Sequence, residues 1–239
     1  MTDLRIARWT GICGFAGILF FLIEFPFYLV RGPFPGMAEA SKLPDYAARN
    51  AGNVMTCVLL DLIILGFLMV FAAGLRHLIR QADPRQEWLA TLFFGVSLVY
   101  TTLTLVADAL QAATVVDALS VPPDPTAIRT MMESMYLMYG SIALFLIAMF
   151  MAVAGYAVAA SGALPAWSSW VAYSCAAACL VFVPSIVVGE PDLLAFYNPI
   201  GWGPLAIASS FPLAAWVITT SVLLVRKRAP VVLDQAVAG

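Results

Sequence analysis

Residues 97–111 have the sequence SLVYTTLTLVADALQ and lie inside a long apolar run. The polar positions in this stretch recur at offsets of 4, 3, 4 and 3, which is the spacing of one face of an α-helix. They are Ser97, Thr101, Thr104, Asp108 and Gln111, a set we call the polar stripe. In a membrane such a face must point at other helices or at water, because lipid cannot satisfy it. The stripe therefore predicts a helical membrane protein with a polar interior.

The composition of the chain is also typical of a membrane protein. Hydrophobic residues make up 62% of the 239 residues and charged residues 11%, and the mean hydropathy is +0.93. A soluble domain is about half apolar and about a quarter charged, so this chain does not fit a soluble globule. The twelve Lys and Arg residues are too few and too scattered for a nucleic-acid interface. We therefore expect a lipid bilayer around the chain and no nucleic-acid partner.

Six apolar runs approach or exceed the ~20 residues that a helix needs to cross roughly 30 Å of hydrocarbon. They cover residues 9–30, 54–79, 88–117, 128–160, 166–188 and 205–225. This pattern predicts an all-α bundle of six transmembrane helices in a single domain, 1–228, followed by a short flexible tail, 229–239. The first run is too long for the apolar part of a signal peptide, so we expect it to remain as a span.

The distribution of positive charge predicts how the bundle is oriented. With the N-terminus inside the cell, eight Lys and Arg residues lie on the cytoplasmic side and four on the external side. The cytoplasmic set is Arg5, Arg8, Arg76, Arg80, Arg85, Arg226, Lys227 and Arg228, and the external set is Arg31, Lys42, Arg49 and Arg129. Tryptophans at the inner helix ends fit an interfacial belt: Trp9, Trp88, Trp167 and Trp170. We therefore expect both termini in the cytoplasm and the protein in the cell membrane.

The segments between the spans differ in kind. Residues 161–166 fit a tight cytoplasmic turn, in which a glycine ends one helix and a proline opens the next. The external segment 31–53 is longer, and its later part around Tyr46 fits a short surface helix. The last external loop, from Glu190 to Trp202, contains prolines and glycines that stop a helix. We expect this last loop to cover the outer face of the bundle.

One turn carries a resemblance to known proteins. Gly155-Tyr156 leads into Ser161-Gly162-Ala163-Leu164-Pro165-Ala166-Trp167. Together with the six-span layout, this turn resembles bacterial membrane proteins classed as domains of unknown function. The resemblance covers most of the chain in layout and rests on this single turn motif. It implies a six-helix membrane fold, and it implies no activity and no site residues.

Three acidic residues lie within predicted spans: Glu24 in the first, Asp61 in the second and Asp108 in the third. With the predicted orientation all three occupy the outer half of the membrane, as does Glu133 near the start of the fourth span. An acidic side chain at mid-bilayer costs roughly 2.5–3.5 kcal/mol, so exposure of all three to lipid would be costly. We therefore expect Glu24, Asp61 and Asp108 to converge on one cavity open to the outer side. Burial and like charge should keep at least one of them protonated near neutral pH.

These acids also have structural interpretations. Asp61 and Asp108 fit interhelical hydrogen bonds, with the threonines and the glutamine of the polar stripe as partners. Glu24 stands near the outer end of its span, where an interfacial carboxylate can reach the head groups. Arg129 and Glu133 are four residues apart, which fits a local ion pair at the mouth of the cavity.

The sequence offers no metal or cofactor motif. Its one histidine, His77, lies at a cytoplasmic helix end, where we expect a solvated side chain. The four cysteines lie in apolar runs and form no CxxC pair, so we expect buried thiols. There is no HExxH pair, phosphate-binding glycine loop, GxSxG elbow or haem CxxCH. We therefore expect no metal and no cofactor.

The first class of function that fits is non-catalytic. Outer-half acids beside aromatic rings suit the binding or translocation of a small cationic or amphipathic ligand, or of protons. Pro26, Pro184 and Pro212 interrupt the first, fifth and sixth runs, which favours transport. An internal repeat, which many transporters have, is not visible. The ligand-binding candidates are Glu24, Asp61, Thr101, Thr104, Asp108, Gln111 and Glu133.

The second class is an intramembrane enzyme acting on a lipid or isoprenoid. A protonated carboxyl would start the rearrangement, and a second carboxylate would act as the base. The catalytic candidates are Glu24, Asp61 and Asp108. A helper subunit, whose polar face meets another membrane protein, is a third interpretation.

Overall fold

The computed structural model describes residues 3–31, 34–120, 122–188, 196–198 and 210–227. Within these ranges the secondary structure is entirely helical. The α-helices are α1 (Asp3–Leu29), α2 (Leu43–Arg49), α3 (Ala51–Ala82), α4 (Glu87–Ala118), α5 (Pro125–Leu137), α6 (Ala143–Ser161), α7 (Trp167–Phe182), α8 (Ser185–Val188) and α9 (Phe211–Arg226). Short 3-10 segments precede α2 (Met37–Lys42) and α4 (Pro84–Gln86), and a π-helical turn (Met138–Ile142) joins α5 to α6.

Five helical segments are long and apolar enough to cross a membrane: Asp3–Leu29, Ala51–Ala82, Pro84–Ala118, Pro125–Ser161 and Trp167–Val188. They match the first five predicted runs and extend beyond the apolar residues into polar ends. The sixth run is described only from residue 210, where α9 provides 16 helical residues. The predicted tail 229–239 lies outside the described residues. The described helices are therefore those expected of a multi-pass membrane protein.

Local sequence explains where several helices begin and end. Asp124 caps α5, because its Oδ1 accepts the backbone N–H groups of Thr126 and Ala127 at 2.8 and 3.3 Å. Gly162 ends α6 in the left-handed conformation at φ 66°, as the sequence predicted. At the turn before α4, a hydrogen bond from the Arg85 side chain lowers the pKa of Asp83.

The prolines act differently from one another. Helix α1 continues through Pro26 to Leu29, so the expected interruption of the first span is not observed. Pro184 separates α7 from α8, so the predicted interruption of the fifth span is confirmed. Pro212 lies in the first turn of α9, where a missing N–H costs little. Most of the sixth run before Pro212 lies outside the described residues, so an interruption there stays a prediction.

Small residues let the helices approach closely. On α1, Gly11 lies so near α9 that a Cβ there would meet the Ser221 carbonyl oxygen and Val225 Cγ2 at 2.8 Å. Gly155 of α6 faces α7 in the same way, with the Ser169 carbonyl oxygen at 3.2 Å. Such contacts are the usual means of helix association in membranes.

An aromatic cluster fills the centre of the bundle. The rings of Phe93 and Phe150 lie 4.7 Å apart. Trp216, which is 1% exposed, packs its edge against Phe71 and Phe150 at 5.8 Å. These contacts join α3, α4, α6 and α9 in one packed core.

A second, smaller core lies at one end of the bundle, where α1 ends and α3 begins. Leu43 and Ala47 of α2 pack there on α4 and α5. Phe34 stands edge-on to Tyr46 and Tyr136 at 5.4 and 5.9 Å. We call residues 34–49 the cap and this end the cap end. The short helix that the sequence predicted around Tyr46 is thus confirmed.

Candidate functional site

The three membrane acids come together inside the bundle. Asp61 of α3 lies in hydrogen-bonding contact with both Glu24 of α1 and Asp108 of α4. Glu24 and Asp108 are each 2% exposed, whereas Asp61 is partly exposed. We call these three residues the carboxyl cluster. The three carboxyl groups thus lie together as predicted, whereas the cavity open to the outer side stays a prediction.

Helix direction explains why these three residues meet. Asp61 lies about three turns after the start of α3, and Asp108 about three turns before the end of α4. Both positions are therefore equally far from the cap end. Helix α1 runs beside α3, and α3 runs beside α4, so acids at similar depths on consecutive helices become neighbours.

Two tyrosine hydroxyls lie beside the cluster. Tyr139 donates to Asp108 Oδ1, and the Tyr28 hydroxyl, one turn after Glu24, lies near the Glu24 carboxyl. A tyrosine hydroxyl is both a donor and an acceptor. The two phenols can therefore follow a change of protonation in the cluster without moving far.

The contacts between carboxyl groups have a chemical consequence. An ionised carboxylate only accepts hydrogen bonds, and a carboxyl group donates one only when it is protonated. A proton shared between them would stabilise the close approach of Asp61 to Glu24 and Asp108. Oε1 of Glu24 and Oδ2 of Asp108 are buried with no hydrogen-bond partner among the described residues. They are spare acceptors facing a low-dielectric interior.

The polar stripe faces the interior, as predicted. Its five residues are between 2% and 6% exposed. The expectation that its threonines bind the acids is not met by Thr104, whose hydroxyl donates to the Tyr100 carbonyl at 3.0 Å. Thr101 Oγ1 and Gln111 Oε1 are buried with no partner in the described part of the chain. The partner of Asp108 is instead Tyr139, 31 residues later.

The fourth span is interrupted at Tyr139, which the sequence analysis did not predict. Residues Met138–Ile142 form a π-helical turn between α5 and α6. π-helical turns are frequent at functional sites. Two residues after Tyr139, Ser141 Oγ lies 3.3 Å from Ser185 Oγ, which follows the break at Pro184. Two interrupted spans therefore meet beside the cluster.

Arg31 is a further site residue that the sequence analysis counted only as an external charge. Its guanidinium lies over the Tyr28 ring, 4.3 Å from the centroid, and contacts the buried Cys57 thiol. Its Nε and Nη2 are buried and have no hydrogen-bond partner among the residues described. The spacing Glu24, Tyr28, Arg31 on one face of the helix and its extension was the available signal.

Tyr46 of the cap lies close to this guanidinium. Burial raises the pKa of Tyr46, and the positive charge of Arg31 opposes that rise. A tyrosine phenol is protonated at neutral pH even at its ordinary pKa, so Tyr46 can donate a hydrogen bond there. The cap therefore brings a hydrogen-bond donor towards the same end of the site.

The predicted rim residues lie apart from the cluster. Glu133 accepts a hydrogen bond from Arg129 Nε at 2.7 Å, and both side chains are nearly half exposed. The predicted local ion pair is thus confirmed. Most of the loop from Glu190 to Trp202 lies outside the described residues. Within its described part, Tyr197 donates to the Val181 carbonyl at 3.0 Å.

Within the described ranges no three His, Cys, Asp or Glu side chains, those of the carboxyl cluster included, are placed to hold a metal ion. His77 pairs with Asp3 at 3.7 Å on the surface. The thiols of Cys57, Cys175 and Cys179 are buried and that of Cys13 is partly exposed, so the expectation of buried thiols is met by three of the four.

Comparisons with known proteins place the chain in no family. No protein-family model matches it, and neither the curated proteins nor the solved structures contain a significantly similar chain. The resemblance of its 155–167 segment to six-helix bacterial membrane proteins stays a prediction.

Proposed function

We propose that this protein binds or translocates a small cationic or amphipathic ligand by exchanging it for protons at the carboxyl cluster. The observation that carries the proposal is the hydrogen-bonded set Glu24–Asp61–Asp108, held between three membrane helices. The spare oxygens of Glu24 and Asp108 are the acceptors that an ammonium or other organic cation needs. Three carboxyl groups without an ion nearby keep charge low by holding protons.

Exchange follows from the energetics of charge in a low dielectric. An unpaired buried charge is costly, and pairing it with a counter-ion removes much of that cost. When a cation enters, the cluster ionises and releases a proton. When the cation leaves, a proton returns. Tyr28 and Tyr139 stay within hydrogen-bonding distance of the acids in both states and turn their hydroxyls to suit.

Interrupted helices support translocation over static binding. Transporter sites are commonly built where spans are broken near the middle of the membrane. Here the π-helical turn at Met138–Ile142 and the break at Pro184 meet through Ser141 and Ser185. Such breaks provide places where α5–α6 and α7–α8 can bend.

We further propose six spans with both termini in the cytoplasm. The end of the bundle away from the cap carries most of the Lys and Arg residues, and cytoplasmic ends are richer in these residues. Trp9, Trp88, Trp167 and Trp170 are 58%, 63%, 55% and 71% exposed. They start α1, α4 and α7 at that same end, as residues of an interfacial belt would. The carboxyl cluster then lies in the outer half of the cell membrane.

The test uses the purified chain alone in neutral detergent, with tetraphenylphosphonium as the cationic probe. Titration in weakly buffered solution should release protons on binding, and the affinity should rise with pH because protons compete with the probe. Asp108→Asn should lose about tenfold in affinity or more, which corresponds to ~1.4 kcal/mol. Glu133→Gln, an exposed acid outside the cluster, is the matched control and should bind normally. Binding without proton release, or equal affinity in both variants, would contradict the proposal.

A second function is favoured by the contact between Glu24 and Asp61. A protonated carboxyl beside an ionised one is an acid and base pair, which could isomerise an isoprenoid double bond. The acid would add its proton to one alkene carbon, and the carboxylate would remove a proton from the neighbouring carbon of the resulting cation. No co-reactant is consumed. Lipid analysis of a strain lacking the protein separates the two functions, since only the enzyme predicts an isomer missing from the strain.

A further inference from the structure

Arg31 presents an unusual combination of charge and burial beside the carboxyl cluster. Its Nε and Nη2 are buried donors with no hydrogen-bond acceptor within the described ranges. None of the ion pairs between described residues includes Arg31. Leaving charged donors buried and unsatisfied is costly. Nε and one terminal nitrogen of a guanidinium form the fork that binds carboxylate or phosphate oxygens in pairs.

The position of this fork is fixed by its neighbours. The Arg31 guanidinium lies over the face of the Tyr28 ring, and the Tyr28 hydroxyl lies near Glu24. The Cys57 thiol of α3 also lies beside the guanidinium. Tyr28 therefore neighbours both the cation and the carboxyl cluster.

The site thus has spare groups of both kinds. Arg31 offers unpaired donors, and Glu24 Oε1 and Asp108 Oδ2 are unpaired acceptors. Arg31 and Glu24 are close enough to interact electrostatically. A ligand that carries only a cation would leave the donors of Arg31 unsatisfied. A ligand with an anionic and an ammonium group in one small head group would satisfy both.

The surroundings of the site suit a ligand with an apolar part. Asp61 is partly exposed, and its neighbour Leu62 is 48% exposed. On α1, Leu22 and Leu29 on either side of Glu24 are 58% and 60% exposed. The cluster is therefore flanked by the apolar outer surface of the helices, along which alkyl chains can lie.

We propose that the ligand is a zwitterionic amphiphile, with its phosphate or carboxylate on Arg31 and its ammonium group on the carboxyl cluster. This rests on the proposed function, since the carboxyl cluster must accept the ammonium group. An amine-bearing phospholipid has this chemistry, and so does a water-soluble phosphoamine. The apolar flank favours the lipid.

The test compares four probes on the full chain in maltoside detergent, with thermal unfolding followed by tryptophan fluorescence. Dodecylamine carries the cation alone, dodecyl phosphate the anion alone, and lauroyl lysophosphatidylethanolamine both. O-phosphoethanolamine is the head group without a chain. The wild type should bind the lysolipid about tenfold more tightly than dodecylamine. Arg31→Gln should abolish that difference. Dodecylamine should still bind this variant, at least as tightly as the wild type, because a nearby positive charge has been removed; its binding also shows that the variant is folded. Arg31→Lys keeps the charge but loses the fork. It should retain part of the difference in affinity between the lysolipid and dodecylamine.

The outcomes separate the inference from the function on which it rests. Arg129→Gln, an exposed arginine paired with Glu133, is the matched control and should bind the lysolipid normally. Lysolipid affinity that is unchanged by Arg31→Gln overturns the anion site alone. A wild type that does not bind dodecylamine overturns the proposed function as well. O-phosphoethanolamine binding as tight as that of the lysolipid overturns the lipid source.

Discussion

At the residue scale, Asp61 is the centre of the site, because it contacts both of the other carboxyl groups. A proton held there can be shared with α1 or with α4. Asp108 in turn accepts a hydrogen bond from Tyr139, and Tyr28 lies beside Glu24. Each of the three acids therefore has polar neighbours inside the bundle.

The hydroxyl of Tyr139 is the simplest of these contacts to remove. Tyr139→Phe leaves Asp108 Oδ1 without its donor, and we expect it to destabilise the fold by about 1–3 kcal/mol. Tyr156→Phe is the matched control, because Tyr156 follows in the same span and is 56% exposed. Unfolding by a denaturing detergent, followed by circular dichroism, measures both. Equal stability of the two variants would show that the hydroxyl contributes nothing.

Sequence alone could predict which acids meet, but not all their partners. The polar stripe predicted that Asp108 faces the interior. Because Glu24 and Asp61 lie at equal depth on consecutive helices, they were predicted to lie next to Asp108. The contact with Tyr139 joins residues 31 positions apart, and spacing within one helix cannot show it. Arg31 lies beyond the end of α1. Its charge could be counted when the orientation of the bundle was predicted, but the sequence could not show that its guanidinium is buried.

At the element scale, close contacts through glycine set the distance between helices. A side chain at Gly11 of α1 would collide with the backbone carbonyl of Ser221 on α9. We expect Gly11→Leu to destabilise the protein by about 1–3 kcal/mol through overpacking. Gly66→Leu is the matched control, since a Cβ at Gly66 of α3 meets nothing within 4 Å. Comparable losses in both variants, in the same unfolding assay, would contradict close packing of α1 on α9.

The existence of the long helices could be predicted from apolar length, and the π-helical turn could not. Residues Met138–Ile142 differ little in polarity from their neighbours, so hydropathy predicted a single helix across 128–160. The turn depends on the hydrogen-bond register that places Tyr139 against Asp108. That register is set by packing on α4, which is tertiary information.

At the scale of the whole molecule, orientation decides which side of the membrane reaches the site. Single cysteines replacing Arg85 and Ser120 should report opposite sides, because these exposed residues precede and follow α4. In a background with Cys13 replaced by serine, an impermeant maleimide should label Ser120→Cys on intact cells. Arg85→Cys should be labelled only after the cells are opened. The reverse pattern would place the carboxyl cluster in the inner half of the membrane.

The central claim is that Glu24, Asp61 and Asp108 share protons in one buried cluster. Infrared difference spectroscopy of the purified protein near neutral pH tests it most directly, by the carbonyl stretch of a protonated carboxyl group. We expect the wild type to show this band and to lose it when tetraphenylphosphonium binds. The band should be weakened or shifted in Asp108→Asn and unchanged in Glu133→Gln. The claim would be contradicted if the wild type showed no protonated-carboxyl band. It would also be contradicted if the band changed neither when the ligand binds nor in Asp108→Asn.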